Sequence, residues 1–192
     1  EISCSLVGSE MCIRDSIEGV YSSRKEIRAA IQNSQNDKLR FSSIIAKYQS
    51  ILDNPHGFKF ESSKDIRDLF DDIISNEIEK KNQPDGELFR RDSVDIVNHQ
   101  DKIIHRGTWP ESDIIIELDR ALGILNNEDL VLPIRVAIFH YYFGYIHPFY
   151  DGNGRTNRFI STAYLAKYYH PLIALRFCLL YTSPSPRDCS YS

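Results

Sequence analysis

The stretch His147-Pro148-Phe149-Tyr150-Asp151-Gly152-Asn153-Gly154-Arg155-Thr156-Asn157-Arg158 brings a base, a carboxylate, a glycine-rich turn and two arginines together. These are the parts of a phosphate-transfer site. Gly152 and Gly154 flank Asn153, a pattern that lets successive backbone N–H groups converge on an anion. Arg155 to Lys167 reads as a helix, so its N-terminus would face the same anion and add its dipole. Arg155 and Arg158, three residues apart, share one helical face and can grip different phosphates with planar guanidinium groups. Asp151 is a hard oxygen ligand suited to Mg²⁺, which takes one or two carboxylates plus substrate oxygens. His147 is the only neutral base in the segment, with an ordinary pKa of about 6.5 that suits proton removal near neutral pH. It ends a helix whose dipole favours imidazolium, while a bound metal and the arginines oppose that; the sequence leaves the balance open.

Each part also has a plainer reading. Asp-Gly-Asn-Gly alone is usually a turn, a His before a Pro is often a helix-end residue, and helical arginines are mostly solvated. A calcium-binding loop starting at Asp151 is excluded, because Arg155 and Thr156 stand where an acid or Asn and a Gly are needed. The pattern is neither a GxxxxGK[ST] loop nor a GxGxxG turn.

The stretch resembles the signature of the Fic (filamentation induced by cAMP) domain proteins, HPFx[D/E]GNGRxxR, at every specified position. Fic proteins mostly transfer AMP from ATP to a hydroxyl side chain of another protein. The resemblance implies that His147 deprotonates the target hydroxyl and Asp151 holds Mg²⁺. It also implies that Gly152 belongs to the nucleotide-binding turn, that Asn153, Gly154 and Arg155 contact the α- and β-phosphates, that Arg158 takes the γ-phosphate, and that Phe149 anchors the loop to the core. The implied cofactor set is ATP as substrate with Mg²⁺. The same signature supports transfer of other nucleotides or removal of AMP, and a nucleotide-binding regulator with little turnover or a growth-inhibiting toxin are further alternatives. Ile17-Glu18-Gly19 resembles the family's inhibitory segment, in which the Glu pairs with the second arginine of the signature, here Arg158. A carboxylate and a γ-phosphate would compete for that one guanidinium. The inhibitory pattern is [S/T]xxxE[G/N], and Arg14 occupies its first position.

Both ends read as foreign. Leu6 to Asp15 and Cys178 to Asp188 resemble translations of one transposase-type sequencing adapter from its two strands; ATG-TGT-ATA-AGA-GAC encodes Met-Cys-Ile-Arg-Asp. Residues 1–16 and 177–192 are therefore expected to be non-native tails, which removes Arg14 from the argument. All four cysteines and the single methionine fall in these ends. Residues 17–176 hold 21 Lys+Arg and 23 Asp+Glu, so no basic excess points to nucleic acid. That length suffices for one domain with one core, and no apolar run approaches the roughly 18 residues that span a bilayer. The expected setting is cytoplasmic, with a hydroxyl-bearing target protein as partner, self-modification as a variant of it, and a homodimer as a further expectation.

The elements that must position these residues are helical. Ser23 with Glu26 reads as a capping box inside the inhibitory segment 17–35. Leu39 to Leu52 carries an apolar stripe through Ile44, Ile45, Tyr48 and Leu52, ended by Asn54-Pro55-His56-Gly57. Ser62 with Asp65 opens a helix whose Ile66, Leu69, Phe70, Ile73, Ile74 and Ile78 recur at three and four. Another runs from about Ser112 to Leu125, with Ile115, Leu118, Leu122 and Leu125 inward. Pro133 begins a fifth that ends at Ile146; it is apolar nearly all round, as a central buried helix would be. The sixth carries the arginines and stops before His170-Pro171. Ser93 to Val97 and Lys102 to His105 are β-prone runs that predict a hairpin over 93–105. The family resemblance makes this hairpin a flap whose Val94, Asp95, Ile96 and Val97 would add the target's backbone as a strand. Trp109 and Arg106 lie nearby; a Trp beside a Pro is more often packed in a core. The expected fold class is all-α, a Fic-type helical bundle with one short β-hairpin.

Overall fold

A computed structural model describes residues 42–75, 78–97 and 103–170. The described chain is helical apart from one hairpin: α1 Ser42–Asp53, α2 Ser63–Ile73, a short 3-10 turn Lys80–Asn82, β1 Asp95–Val97, β2 Ile103–Arg106, α3 Glu111–Leu125, α4 Leu132–Ile146 and α5 Asn153–Ala166. The all-α expectation with one hairpin holds. Glu18 and the rest of the segment 17–35 lie outside the described residues, as do both terminal stretches.

Local signals set the helix boundaries. Asp65 accepts the backbone N–H groups of Glu61 and Ser62 at 2.8 and 2.9 Å, tying down the start of α2. The turn after α1 closes with Gly57 N donating to Asn54 O at 3.1 Å. Pro133 sits in the first turn of α4, where its missing N–H costs nothing. Helix α2 ends at Ile73, so Ile74 and Ile78 reach the core from the chain beyond the helix. In α3 the core position falls on Ile114 rather than Ile115, which is only partly buried. Glu111 fixes that phase: its carboxylate turns back to accept the backbone N–H groups of Glu87, Leu88 and Phe89 at 3.1, 2.8 and 2.8 Å. Burial alone would raise this carboxyl's pKa, but the three amides bring it below its ordinary value.

The central helix is not the one that hydrophobicity suggests. Helix α4 exposes Ile134, Tyr141, Tyr142 and Tyr145, whereas every residue of α5 from Arg155 to Ala166 is buried. Tyrosine counts as apolar in a periodicity reading yet carries a hydroxyl that tolerates water, so α4 presents only one side to the core. Helix α5 reads as half polar, but its polar groups find partners inside. Asn157 Nδ2 donates to His140 O at 2.8 Å, Thr156 Oγ1 to Gly152 O at 3.0 Å, and Ser161 Oγ lies 3.1 Å from His140 Nδ1. A buried polar helix survives when such bonds are made.

Aromatic rings close the core around α5. Phe159 meets the edges of Tyr48 and Phe58 at 5.2 and 5.4 Å. Phe149, from the loop before α5, stacks on Phe70 at 3.9 Å and meets Phe89 edge-on at 5.3 Å. Phe149 therefore anchors its loop to α2 and to the 86–90 segment, the place the sequence reading gave it.

Candidate active site

The stretch His147 to Arg158 forms the connection from α4 to α5 and the start of α5, and its backbone is bent by two left-handed residues. His147 caps α4 with φ 53° and ψ 62°, and Gly152 caps α5 with φ 80°. A non-glycine residue in this region carries strain of about 1–3 kcal/mol and persists only where its surroundings hold it. For His147 those surroundings are explicit. Its N–H donates to Phe143 O at 3.0 Å, and its carbonyl accepts Arg90 Nε at 2.9 Å. At Gly152 a side chain has no room: an added Cβ would stand 2.5 Å from Ile74 Cγ2.

Arg90 is wholly buried and forms the hub of this region. Besides His147 O, its guanidinium donates to the carbonyls of Asp92 at 2.6 Å, Thr108 at 2.7 Å and Ile146 at 3.3 Å. Its own N–H donates to Pro148 O at 3.3 Å. Asp92 and Thr108 bracket the hairpin, so one side chain joins both feet of the hairpin to the turn bearing His147. Burial pushes the Arg90 pKa below its ordinary value, yet a guanidinium stays charged well above neutrality.

The hairpin pairs Asp95 with Arg106 and Ile96 with His105, then shifts register before Val97 opposite Ile103. An Asp95–Arg106 ion pair, with Nε to Oδ1 at 2.6 Å, crosses it on the solvent side. His105 leans back onto α4: Nε2 lies 2.7 Å from Tyr145 O, and the two rings are 4.2 Å apart. The first strand is thus shorter than the sequence suggests, and Val94 precedes it, its carbonyl accepting Gly107 N–H at 2.9 Å; the second keeps its four residues but reaches Arg106. Trp109 is 59% exposed and donates Nε1 to Arg91 O at 2.9 Å, so it is a surface residue and not the packed core residue its neighbour Pro110 suggests.

Between hairpin and helices lies a cavity of about 660 Å³, lined by Ile96, His105, His140, His147, Asn153 and Gly154 among others. The structure thus brings His147, the start of α5 and the hairpin's Ile96 to one space. Burial holds the His147 imidazole below its ordinary pKa; a hydrogen bond to the Gly144 backbone raises it and the Arg90 charge lowers it further. Burial thus favours the neutral imidazole, the state a general base needs.

The remaining site residues divide by burial. Arg155 and Arg158 are each only 4% exposed, so they are not the solvated arginines of the plain reading, and neither lines this cavity. Arg158 is nevertheless close enough to act on His140, whose pKa is lowered first by burial and then by that charge. Asp151 is half-exposed, its Oδ1 accepting Gly152 N–H at 2.5 Å and lying 3.6 Å from Arg155 Nη2. No cluster of three metal-ligating side chains occurs among the described residues. A lone accessible carboxylate suits Mg²⁺ only when phosphate oxygens and water complete its shell. Asn153 is committed elsewhere: its Oδ1 accepts Phe149 N–H at 3.0 Å and its Nδ2 donates to Phe149 O at 2.7 Å. Its side chain shapes the loop, which leaves its contribution to an anion to the backbone at the helix start.

Sequence reading missed Arg90 and His140. No periodicity marks Arg90, whose partners are carbonyls from three separate places in the chain. His140 did carry a signal: it stands seven residues, about two helical turns, before His147 on the helix that His147 caps.

Among the described residues no helix is long and apolar enough to cross a membrane. A family model described as Fic/DOC family matches residues 60–165, which spans the hairpin, the cavity and all of α2 to α4. The protein adenylyltransferase Fic of Culex quinquefasciatus is 36% identical over 95 residues, covering 48% of this chain and 18% of that relative. The chain thus spans less than a fifth of the length of this relative. With the family match covering more than half of its residues and the signature turn seated against the cavity, the chain belongs to the Fic/DOC family.

Proposed function

We propose that this domain transfers AMP from ATP to a hydroxyl side chain of a target protein. The observation that carries the reading is that the His147 imidazole lines the same cavity as Asn153 and Gly154 of the first turn of α5, with burial favouring its neutral form. The name of the Culex relative supports it. In this reaction the target hydroxyl gives its proton to His147 and its oxygen attacks the α-phosphorus. The bond from that phosphorus to the bridging oxygen breaks, and pyrophosphate leaves. The helix N-terminus and the Arg155 and Arg158 charges stabilise the phosphates, so positioning and electrostatics supply most of the acceleration. Asp151 would hold Mg²⁺, which when bound neutralises phosphate charge. The hairpin edge at Val94, Asp95, Ile96 and Val97 offers backbone groups to which an extended target segment can add.

The decisive experiment incubates the protein with ATP labelled in the α-phosphate and host lysate. His147→Ala should abolish labelling while ATP binding stays near normal; labelling retained in that variant overturns the assignment. ATP bound without labelled product in any preparation favours the regulator reading instead. Autoinhibition is part of the same proposal: Glu18 competes with the γ-phosphate for Arg158. Glu18→Gly should raise labelling, and an unchanged rate removes that element.

A further inference from the structure

At the opposite end of the α4–α5 pair lies a second cavity of about 440 Å³. Its wall includes Lys59, Asn126, Glu128, Arg135, Tyr164 and Lys167. The 14 residues of α5, at about 1.5 Å each, put this cavity about 20 Å from the catalytic turn. The two spaces share no lining residue.

Arg135 makes this cavity unusual. It is 6% exposed, its Nε is buried without a hydrogen-bond partner, and it makes no ion pair among the described residues. Burying a guanidinium without a counter-charge is costly, and proteins rarely leave one so. The other cations nearby sharpen the imbalance. Lys167 lies over the Tyr164 ring, 4.1 Å from its centroid, and its pKa is lowered by burial and by the charges of Arg135 and Lys59. Of the acids on the wall, Glu61 pairs with Lys59, and Asp119 accepts from the N–H and hydroxyl of Ser63. Glu128 is exposed and acts on Lys167 only through its field. Tyr164 donates its hydroxyl to Asn126 Oδ1 at 2.6 Å, which fixes the polar floor. A buried and a half-buried cation from the ends of two helices therefore line one space, and neither makes an ion pair among the described residues.

We propose that this cavity is an anion site that takes a phosphate dianion between Arg135 and Lys167. The planar fork of Arg135 can meet two phosphate oxygens while Lys167 supplies a compact second charge. A dianion is favoured over a monocarboxylate because two cations face the space. The volume exceeds that of inorganic phosphate, so the phosphate of a small phosphorylated metabolite fits the same chemistry. The inference is independent of the transfer reaction, since none of these residues belongs to the catalytic turn.

The test measures thermal unfolding of the full chain against inorganic phosphate, a hexose monophosphate and acetate, with chloride balancing ionic strength. Both phosphates should raise Tm and acetate should not. A larger shift with the hexose monophosphate identifies a metabolite site, and equal shifts identify a site for free phosphate. Lys167→Gln, at a half-buried position that tolerates change, should weaken phosphate binding at least tenfold; Arg158→Ala should leave this shift in place. Arg135→Gln should abolish the shift while its Tm without phosphate stays level or rises, because an uncompensated charge has gone. Absence of any phosphate shift in the unmodified chain overturns the proposal. So does a shift that survives Lys167→Gln but disappears in Arg158→Ala. Equal losses of Tm from Arg135→Gln and Glu128→Gln, with no phosphate dependence, would show that Glu128 pairs with Arg135 and the cavity needs no ligand.

Discussion

Arg90 Nε donates to the main-chain oxygen of His147 at 2.9 Å, so the His147 imidazole stands on a turn held by a buried guanidinium from a distant segment. The same guanidinium reaches Asp92 O and Thr108 O, which makes hairpin position and imidazole position parts of one arrangement. Arg90→Met would strand four buried or half-buried carbonyls and should destabilise the fold by about 3 kcal/mol or more, read by urea unfolding. Arg90→Lys keeps the charge but cannot span the same carbonyls. For this variant, labelling turnover should fall at least tenfold with little change in KM for ATP, and amide exchange at 92–97 and 103–108 should quicken. A KM effect alone, with exchange unchanged, would mean that Arg90 does not position the turn.

Gly152→Ala tests the bend into α5. The left-handed conformation costs a side chain about 1–2 kcal/mol, and the contact with Ile74 adds an overpacking term of about 1–3 kcal/mol. Unfolding free energy should drop by about 2–5 kcal/mol. Pairing the change with Ile74→Val, which shortens the obstructing side chain, should recover part of the second term only.

Asn153 serves the loop through its side chain. Asn153→Ala leaves the N–H and C=O of Phe149 without partners in a buried place and should cost about 2 kcal/mol. Asn153→Asp keeps the acceptor for the N–H but sets a carboxylate against Phe149 O, so it should be no more stable than the alanine variant. Wild-type stability in either variant would contradict the clamp.

The histidines give the stability a defined dependence on pH. His147 and His140 both have folded pKa values below the ordinary 6.5 or so, because burial disfavours their charged forms. The unfolded chain therefore binds protons first as pH falls. Their contribution is fully present above about pH 6.5 and is lost as pH drops through the folded values. Urea midpoints should be level from pH 8 to 7 and decline below about 6.5, and His140→Gln should flatten part of that decline. Turnover, which needs neutral His147, should persist to lower pH than an unperturbed histidine would allow; an acid limb at or above 6.5 would contradict the burial effect.

The helix boundaries at Ser62 and Pro133 and the turn at Asn54 to Gly57 follow from local capping and backbone geometry, which act within a few residues. The hairpin was legible as two β-prone runs, though its register shift between Ile96 and Val97 was not, because pairing is settled across strands. Ile115 was read inward and Ile114 is, since the phase of α3 is set by Glu111 reaching back to the 87–89 amides. The exposed tyrosines of α4 and the buried polar face of α5 reversed the expected centre of the bundle, because periodicity measures residue type and not whether a polar group has found a partner.

The sequence by itself determined the chemistry: a base, a carboxylate, a glycine turn and two arginines at fixed spacing, together with the capping and turn residues that make the chain helical. Tertiary structure alone decided which of those groups is neutral, which side chain is already occupied, and which arginine supports the base. Charge state, occupancy and support depend on burial and on partners brought from far along the chain, and such distances exist only once the chain has folded.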